Sequence, residues 1–239
     1  MIRAEAISKS FGKLNVLREI SVQLEAGRVV AVIGPNGSGK TTFIKTLLGM
    51  VVPDRGRVLF TNQAITKQHT YRSQIGYMPQ IGHYPANLKI KQLFEMMIDI
   101  RNDATMQLDE DLVAAFQLKA LFEKPLGTLS GGTKQKVSAA LAFLFNPSVL
   151  ILDEPTAGLD PLSSEVLKDK IQKESQKGKL ILITSHVMSD LDELATDVLY
   201  LQDGSVQFYK TIAELKLETG ESKLGRVIAQ LMSKIPQMS

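Results

Sequence analysis

Residues 29–42 read VVAVIGPNGSGKTT, and FIKTLLGM continues to Met50. Five apolar residues without polar alternation are the pattern of a strand buried on both faces of a parallel sheet. Beyond the glycines, Phe43, Ile44, Leu47 and Leu48 recur at helical spacing and stop at Gly49. A strand that breaks into a glycine-rich turn and restarts as a helix is the setting GxxxxGK[ST] requires, and Gly34, Gly39, Lys40 and Thr41 supply that motif. The glycines let backbone N–H groups turn inward around phosphates, and the helix that follows presents its positive end to them. Lys40 is then expected to reach the outer phosphates, and the Thr41 hydroxyl to complete a magnesium shell. Pro35, Asn36, Gly37 and Ser38 within the loop, and Thr42 after it, belong to the same expected phosphate site. A glycine turn with no ligand is the bland alternative, and the correct flanks on both sides weigh against it.

Two further apolar runs have strand length, VLIL at Val149–Leu152 and LILIT at Leu180–Thr184. Like the first, they do not alternate, and each runs into polar residues: DEP after one and SHVMSD after the other. Ligands of open parallel sheets sit at the carboxyl ends of such strands. Helical patterns separate them. Asp160 and Pro161 supply an N-cap and first-turn signal for a helix carrying Leu162, Val166 and Ile171. Between roughly 81 and 146 the pattern turns helical, with a stripe of Ile90, Leu93, Met97 and Ile100 and another suggested by Leu112 and Phe116. An inserted helical lobe in an α/β chain follows.

The bulk composition limits the function classes. The chain has 239 residues, 44% of them hydrophobic, enough for one large domain or a domain with an inserted lobe. There is no cysteine, so disulfides and thiolate metal sites are excluded, in keeping with a reducing compartment. Twenty-eight basic against 25 acidic residues, with no long basic block, give no reason to expect nucleic acid. The N-terminus lacks the apolar core of a secretory signal, and SAALAFLF at 138–145 is far short of the roughly 20 residues that span a bilayer.

ILDEP at 151–155 gives the loop a partner. A carboxylate at the end of a buried strand is costly unless it faces a cation or strong donors, so Asp153 is read as a magnesium ligand. Glu154 projects to the other side and is read as the residue that polarises an attacking water. Alone the pair could equally be solvated acids at a strand end. LSGGT at Leu129–Thr133 places a hydroxyl and two glycines before a helical face of Val137, Leu141 and Leu144, which makes a second anion-binding helix N-terminus. One nucleotide does not need two phosphate cradles.

The ordered set GPNGSGKT, GYMPQ, LSGGT, LILDEP, AGLD and ITSH resembles the ATP-binding subunits of ABC transporters, over nearly the whole chain. The resemblance implies an ABC-type P-loop NTPase fold: a mainly parallel sheet core, an N-terminal antiparallel β region and an inserted α-helical subdomain. It implies an ATP hydrolase requiring ATP and Mg2+, in which Gln80 senses magnesium and attacking water and His186 contacts the terminal phosphate. Asp160 would lie in the loop linking two subunits. Phe11 stands where the family has an aromatic ring stacked on adenine, although it could equally be a core aromatic of an N-terminal strand. Ser130, Gly131 and Gly132, flanked by Leu129 and Thr133, would act in trans on a second copy's nucleotide. The family commonly has glutamine where Thr133 stands and frequently arginine within the following KQK; a hydroxyl can still cap or donate there. The implied partners are an integral membrane permease and a second copy of the chain. The implied place is the cytoplasmic face of the inner or plasma membrane.

More narrowly, AGLDP, ITSHVMSDLDELATDV and the short tail look like subunits serving ABC-2 type export permeases. YMPQIGHYP and LSGGTKQKVSAALAFLFNP resemble the ATP-binding subunit of a copper-type ABC transporter linked to nitrous oxide reductase maturation. Met96 and Met97, in a helical stripe, are expected to fill core rather than bind copper. His69 and His83 are expected at the surface. The expected layout is an ATP-binding core at 1–80 and 147–210, a helical subdomain at 81–146 and a helical tail at 211–239. The tail should open with a Thr211–Glu214 capping box and carry an apolar face of Leu224, Val227, Ile228 and Leu231 packed on the core. A soluble ABC ATPase uncoupled from transport and a P-loop small-molecule kinase are the alternative functions; the kinase does not explain LSGGT, AGLD and the histidine together.

Overall fold

The computed structural model describes residues 1–65, 69–102 and 107–234, so 235–239 of the expected tail lie outside the described residues. In chain order it forms β1 (Ile2–Phe11), β2 (Leu14–Leu24), β3 (Val29–Ile33), α1 (Lys40–Leu47), β4 (Arg55–Phe60), β5 (Gln63–Ala64) and β6 (Ile75–Met78). These are followed by α2 (Ile90–Arg101), α3 (Asp111–Ala115), α4 (Gly131–Phe143), β7 (Val149–Asp153), α5 (Pro161–Gln176) and β8 (Leu180–Thr184). The chain ends with α6 (Met188–Leu194), β9 (Asp197–Gln202), β10 (Ser205–Thr211), α7 (Ile212–Thr219) and α8 (Leu224–Lys234). The chain divides into two compact units, 1–68 with 180–239, and 69–179.

In the first unit an antiparallel sheet runs in the order β2-β1-β4-β5. Bulges interrupt the β1–β2 register between Ala4 and Ile7, next to Ala6 at φ 46°, and they keep Ile2, Ala4 and Ile7 on the buried side. Strands β8, β3 and β9 are parallel neighbours, and β10 pairs antiparallel to β9. All five residues of β3 and of β8 are buried, as their unbroken apolar runs require. Helix α1 buries Phe43, Ile44 and Leu47, each worth about 1.5–3 kcal/mol of transfer free energy. Its chain leaves at Gly49, whose φ of 66° favours glycine. The tail bears out the expected cap: Glu214 N–H donates to Thr211 Oγ1 at 3.1 Å, and Thr211 N–H to Glu214 Oε2 at 2.8 Å. Helix α8 packs on α6 and α7 and buries Leu224, Val227 and Ile228, while Leu231 is half-buried.

In the second unit β6 and β7 pair in parallel with Met78 opposite Leu152. The stripe expected on α2 is out of phase at one end. Ile90, Leu93 and Phe94 are buried and Met97 is half-buried, but Ile100 and Met96 are exposed, so Met96 does not fill core. On α5, Leu162 is also exposed and Val166 only half-buried. The covered face runs through Ser163, Leu167, Ile171 and Glu174, a stripe stepped by the helical repeat from the capped first turn. Leu112 and Phe116 are buried as expected, and His69 and His83 are exposed. Among the described residues no helix is long and apolar enough to cross a membrane.

Candidate functional site

Parallel registers gather the first unit's polar residues at one sheet edge. Ala31 of β3 lies opposite Ile183 of β8; Gly34 and His186 each follow three residues later, beyond the ends of their strands. His186 is exposed, and Ser185 before it uses its hydroxyl to accept from the Val187 N–H at 2.9 Å.

The loop from Gly34 to Gly39 is shaped by close approaches. A Cβ on Gly34 would lie 1.9 Å from the Leu201 carbonyl oxygen and 2.8 Å from Ser38 Oγ. Gly39, at φ 100°, would place a Cβ 2.8 Å from the Val16 carbonyl oxygen. The Asp203–Gly204 turn braces the loop: Gly204 N–H donates to the Ser38 carbonyl at 3.2 Å, and the Gly204 carbonyl accepts from Arg18 N–H at 2.8 Å. Lys40 Nζ donates to the Gly34 carbonyl at 2.7 Å and the Pro35 carbonyl at 3.0 Å, so a full positive charge stands over the loop. Pro35, Asn36 and Gly37 are exposed, Thr41 is exposed and Thr42 half-buried. Ser38 is 2% exposed, and its Oγ has no hydrogen-bond partner among the described residues. An unsatisfied buried hydroxyl costs about 1–3 kcal/mol, and a phosphate oxygen would relieve it. Phe11, at the end of β1, is 52% exposed and therefore no core aromatic; Lys9 Nζ lies 5.5 Å from its ring centroid.

In the second unit the β6–β7 register brings Gln80 and Asp153 to one strand edge, two residues past Met78 and one past Leu152 respectively. Gln80 is exposed and Asp153 half-buried. Burial, and after it the charge of Asp153, pushes the Tyr77 phenol up. Glu154 holds φ at 52°, a left-handed conformation unusual for a residue with a long side chain. The LSGGT segment at 129–133 forms the N-terminus of α4 as expected. Ser130 is the N-cap, its Oγ accepting from Thr133 N–H at 3.2 Å and lying 2.9 Å from Thr133 Oγ1. Thr133 thus takes part in the cap itself, which a glutamine at that place would do differently. Leu129, Gly132 and Thr133 are half-buried and Ser130 and Gly131 exposed.

Asp160 caps α5, accepting from Ser163 N–H at 2.9 Å and Ser163 Oγ at 2.7 Å. Lys136 lies 2.9 Å away on α4, and its hydrogen bond, followed by those from Ser163, holds the Asp160 carboxyl well below the usual range. Two residues of the KQK at 134–136, to which the sequence reading gave no role, join this assembly. Gln135 is buried under the Glu154–Pro155 turn, and Lys136 meets Asp160. On a helix both read as ordinary solvent-facing polar residues.

The donor set suits hard chemistry. Among the described residues no group of three His, Cys, Asp or Glu forms a metal cage. Within the second unit, the amide of Gln80 and the carboxylate of Asp153 at one strand edge are oxygen donors of the kind that suit magnesium.

A family model described as ABC transporter matches residues 17–157, more than half of the chain. The chain is 36% identical over 217 residues to the arginine transport ATP-binding protein ArtM of Bacillus subtilis (strain 168), covering 86% of this chain and 89% of that one. It is 30% identical over 202 residues to the Nod factor export ATP-binding protein I of Burkholderia lata, covering 83% of this chain and 66% of that longer one. A solved structure described as the ATP binding subunit of an ABC transporter superposes with a TM-score of 0.90 at 26% identity, covering 97% of this chain and 99% of that one.

Proposed function

This chain belongs to the ABC transporter family, and on that footing we propose that it is an ATP-hydrolysing motor subunit that closes on a second copy around ATP and drives a partner membrane permease. The observation that carries the nucleotide reading is the loop at 34–40, where the lysine charge stands over a glycine cradle and a buried Ser38 hydroxyl lacks a partner among the described residues. Backbone N–H groups and Lys40 bind the phosphates, and Phe11 stacks on the adenine. By the family resemblance Thr41, Gln80 and Asp153 would hold magnesium, which would neutralise charge on the phosphoryl oxygens. Glu154 orients the attacking water and takes up its proton, and His186 contacts the terminal phosphate. Ser130 and its glycines complete the nucleotide site of the second copy, and Asp160 serves communication between the two. Cargo and direction are set by the permease, which holds the chain at the cytoplasmic face of the membrane. Family relatives are named both for amino-acid transport and for export, so membership alone assigns neither direction.

Tagged chain purified from membranes should bring down an integral membrane protein and hydrolyse ATP without any added acceptor. ATP turnover that appears only with a small-molecule acceptor would favour a kinase, and turnover with no membrane partner would favour a soluble ATPase.

A further inference from the structure

Gln135 lies two residues past the LSGGT segment, one turn into α4, and is 6% exposed. Its Nε2 donates to the Glu154 carbonyl at 3.2 Å, with the Pro155 carbonyl at 3.5 Å. Those carbonyls belong to the turn leaving β7, in which Glu154 occupies the left-handed region at φ 52°. For a glutamate that conformation costs of order 1 kcal/mol and persists only where surrounding contacts fix it. Two more contacts join the same helix end to the same loop. Gly132 is close enough that a Cβ there would come 2.7 Å from the Gly158 carbonyl oxygen, and Lys136 lies 2.9 Å from Asp160.

A buried amide is retained where its hydrogen bonds are needed, because leaving either partner unsatisfied is costly. We infer that Gln135 is a positioning residue for the reaction: its amide clamps the Glu154–Pro155 backbone and so sets the direction in which the Glu154 carboxylate points. This rests on reading Glu154 as the residue that orients water. It also means that the helix end carrying the cradle for the second copy and the residue serving the chain's own nucleotide are held together. A shift of α4 when the cradle engages is passed to the loop after β7 through these contacts, and to the Glu154 carbonyl itself through Gln135.

The test uses the full chain and, in parallel, Glu154→Gln, Gln135→Met and Gln135→Glu. Methionine keeps the volume and removes the donor. Gln135→Met is expected to lower kcat about tenfold to a hundredfold while the ATP Kd, measured by calorimetry, stays within about twofold, since a misaimed group costs rate rather than binding. In Gln135→Glu only the protonated carboxyl can donate, and burial raises its pKa. Turnover relative to the wild-type protein should therefore rise as the pH falls from about 8.5 to about 6. The ATP Kd of Gln135→Glu, followed over the same pH range, separates misaiming, which spares it, from loosening of the fold, which does not. If Glu154→Gln abolishes turnover while Gln135→Met keeps kcat within about threefold, or if Gln135→Glu shows the wild-type pH profile, the inference is overturned. Undiminished turnover in Glu154→Gln instead overturns the reading of Glu154 on which it rests.

Discussion

Lys170→Met should be among the most destabilising single changes in the second unit, and its cost follows from how the charges are buried. Lys170 on α5 is 4% exposed and its Nζ lies 2.5 Å from Asp109, 2.7 Å from Asp111 and 3.1 Å from Glu174. Asp109 is 11% exposed and Glu174 fully buried. Burial pushes the Lys170 ammonium down, but Asp109, Asp111 and Glu174 outweigh it and hold it above the usual lysine range. Methionine keeps most of the aliphatic stem, so the loss is electrostatic. Removing one partner of a buried ion pair costs about 3–5 kcal/mol. The lower end applies here, because Glu174 keeps Lys177 at 2.7 Å and Lys179, leaving Asp109 as the main stranded charge. At about 2–4 °C per kcal/mol, Tm should fall by about 6–12 °C in scanning calorimetry. Lys119→Met, which breaks an exposed pair with Glu110 at 2.6 Å, should cost under about 1 kcal/mol.

The pH dependence has a definite sign. Burial raises the Glu174 carboxyl, but hydrogen bonds from Lys177, Lys179 and Lys170 outweigh it and bring the group from 4.5 to about 2. A depressed carboxyl contributes stability that is present above 4.5 and lost as the pH falls toward about 2. Wild-type Tm should therefore fall across that window. A Tm for Lys170→Met within about 2 °C of wild type at neutral pH would refute the account of the cluster.

Lys40→Ala should weaken ATP binding about a hundredfold or more by calorimetry, because the charge-assisted contact to the phosphates is lost; unchanged affinity would count against the phosphate loop. Glu154→Gln keeps size and shape but cannot take a proton, so ATP should still bind while kcat falls about a hundredfold to ten-thousandfold; wild-type turnover would move the base elsewhere.

Much of the site was legible because it sits where local signals are strong. The runs at 29–33, 149–152 and 180–184 are strands since nothing polar interrupts them, and the caps at Ser130, Asp160 and Thr211 carry the side chains that caps use. What was illegible depends on phase and on long-range pairing. Ile100 and Leu162 fit a helical stripe by spacing, but which face is covered is decided by neighbours distant in sequence. Gln135, Lys170 and Glu174 are polar residues on helices, which by pattern belong in solvent; they are buried because partners at 154, 109 and 179 satisfy them. The strand, glycine turn and helix around 34–40 were readable, whereas the bracing of that loop by the Asp203–Gly204 turn was not, since no spacing rule links positions so far apart.

The central claim is that Ser130 and its glycines act on a second copy's nucleotide, so that ATP joins two chains. It is tested most directly by light scattering on Glu154→Gln with ATP and magnesium, with nucleotide content measured alongside. The account predicts a dimer that forms with ATP and not with ADP, because the terminal phosphate's charge is what the α4 N-terminus recognises. Adding Ser130→Arg should leave monomers that still hold ATP. A double variant that dimerises as readily as its parent, or that loses ATP as a monomer, would contradict the claim.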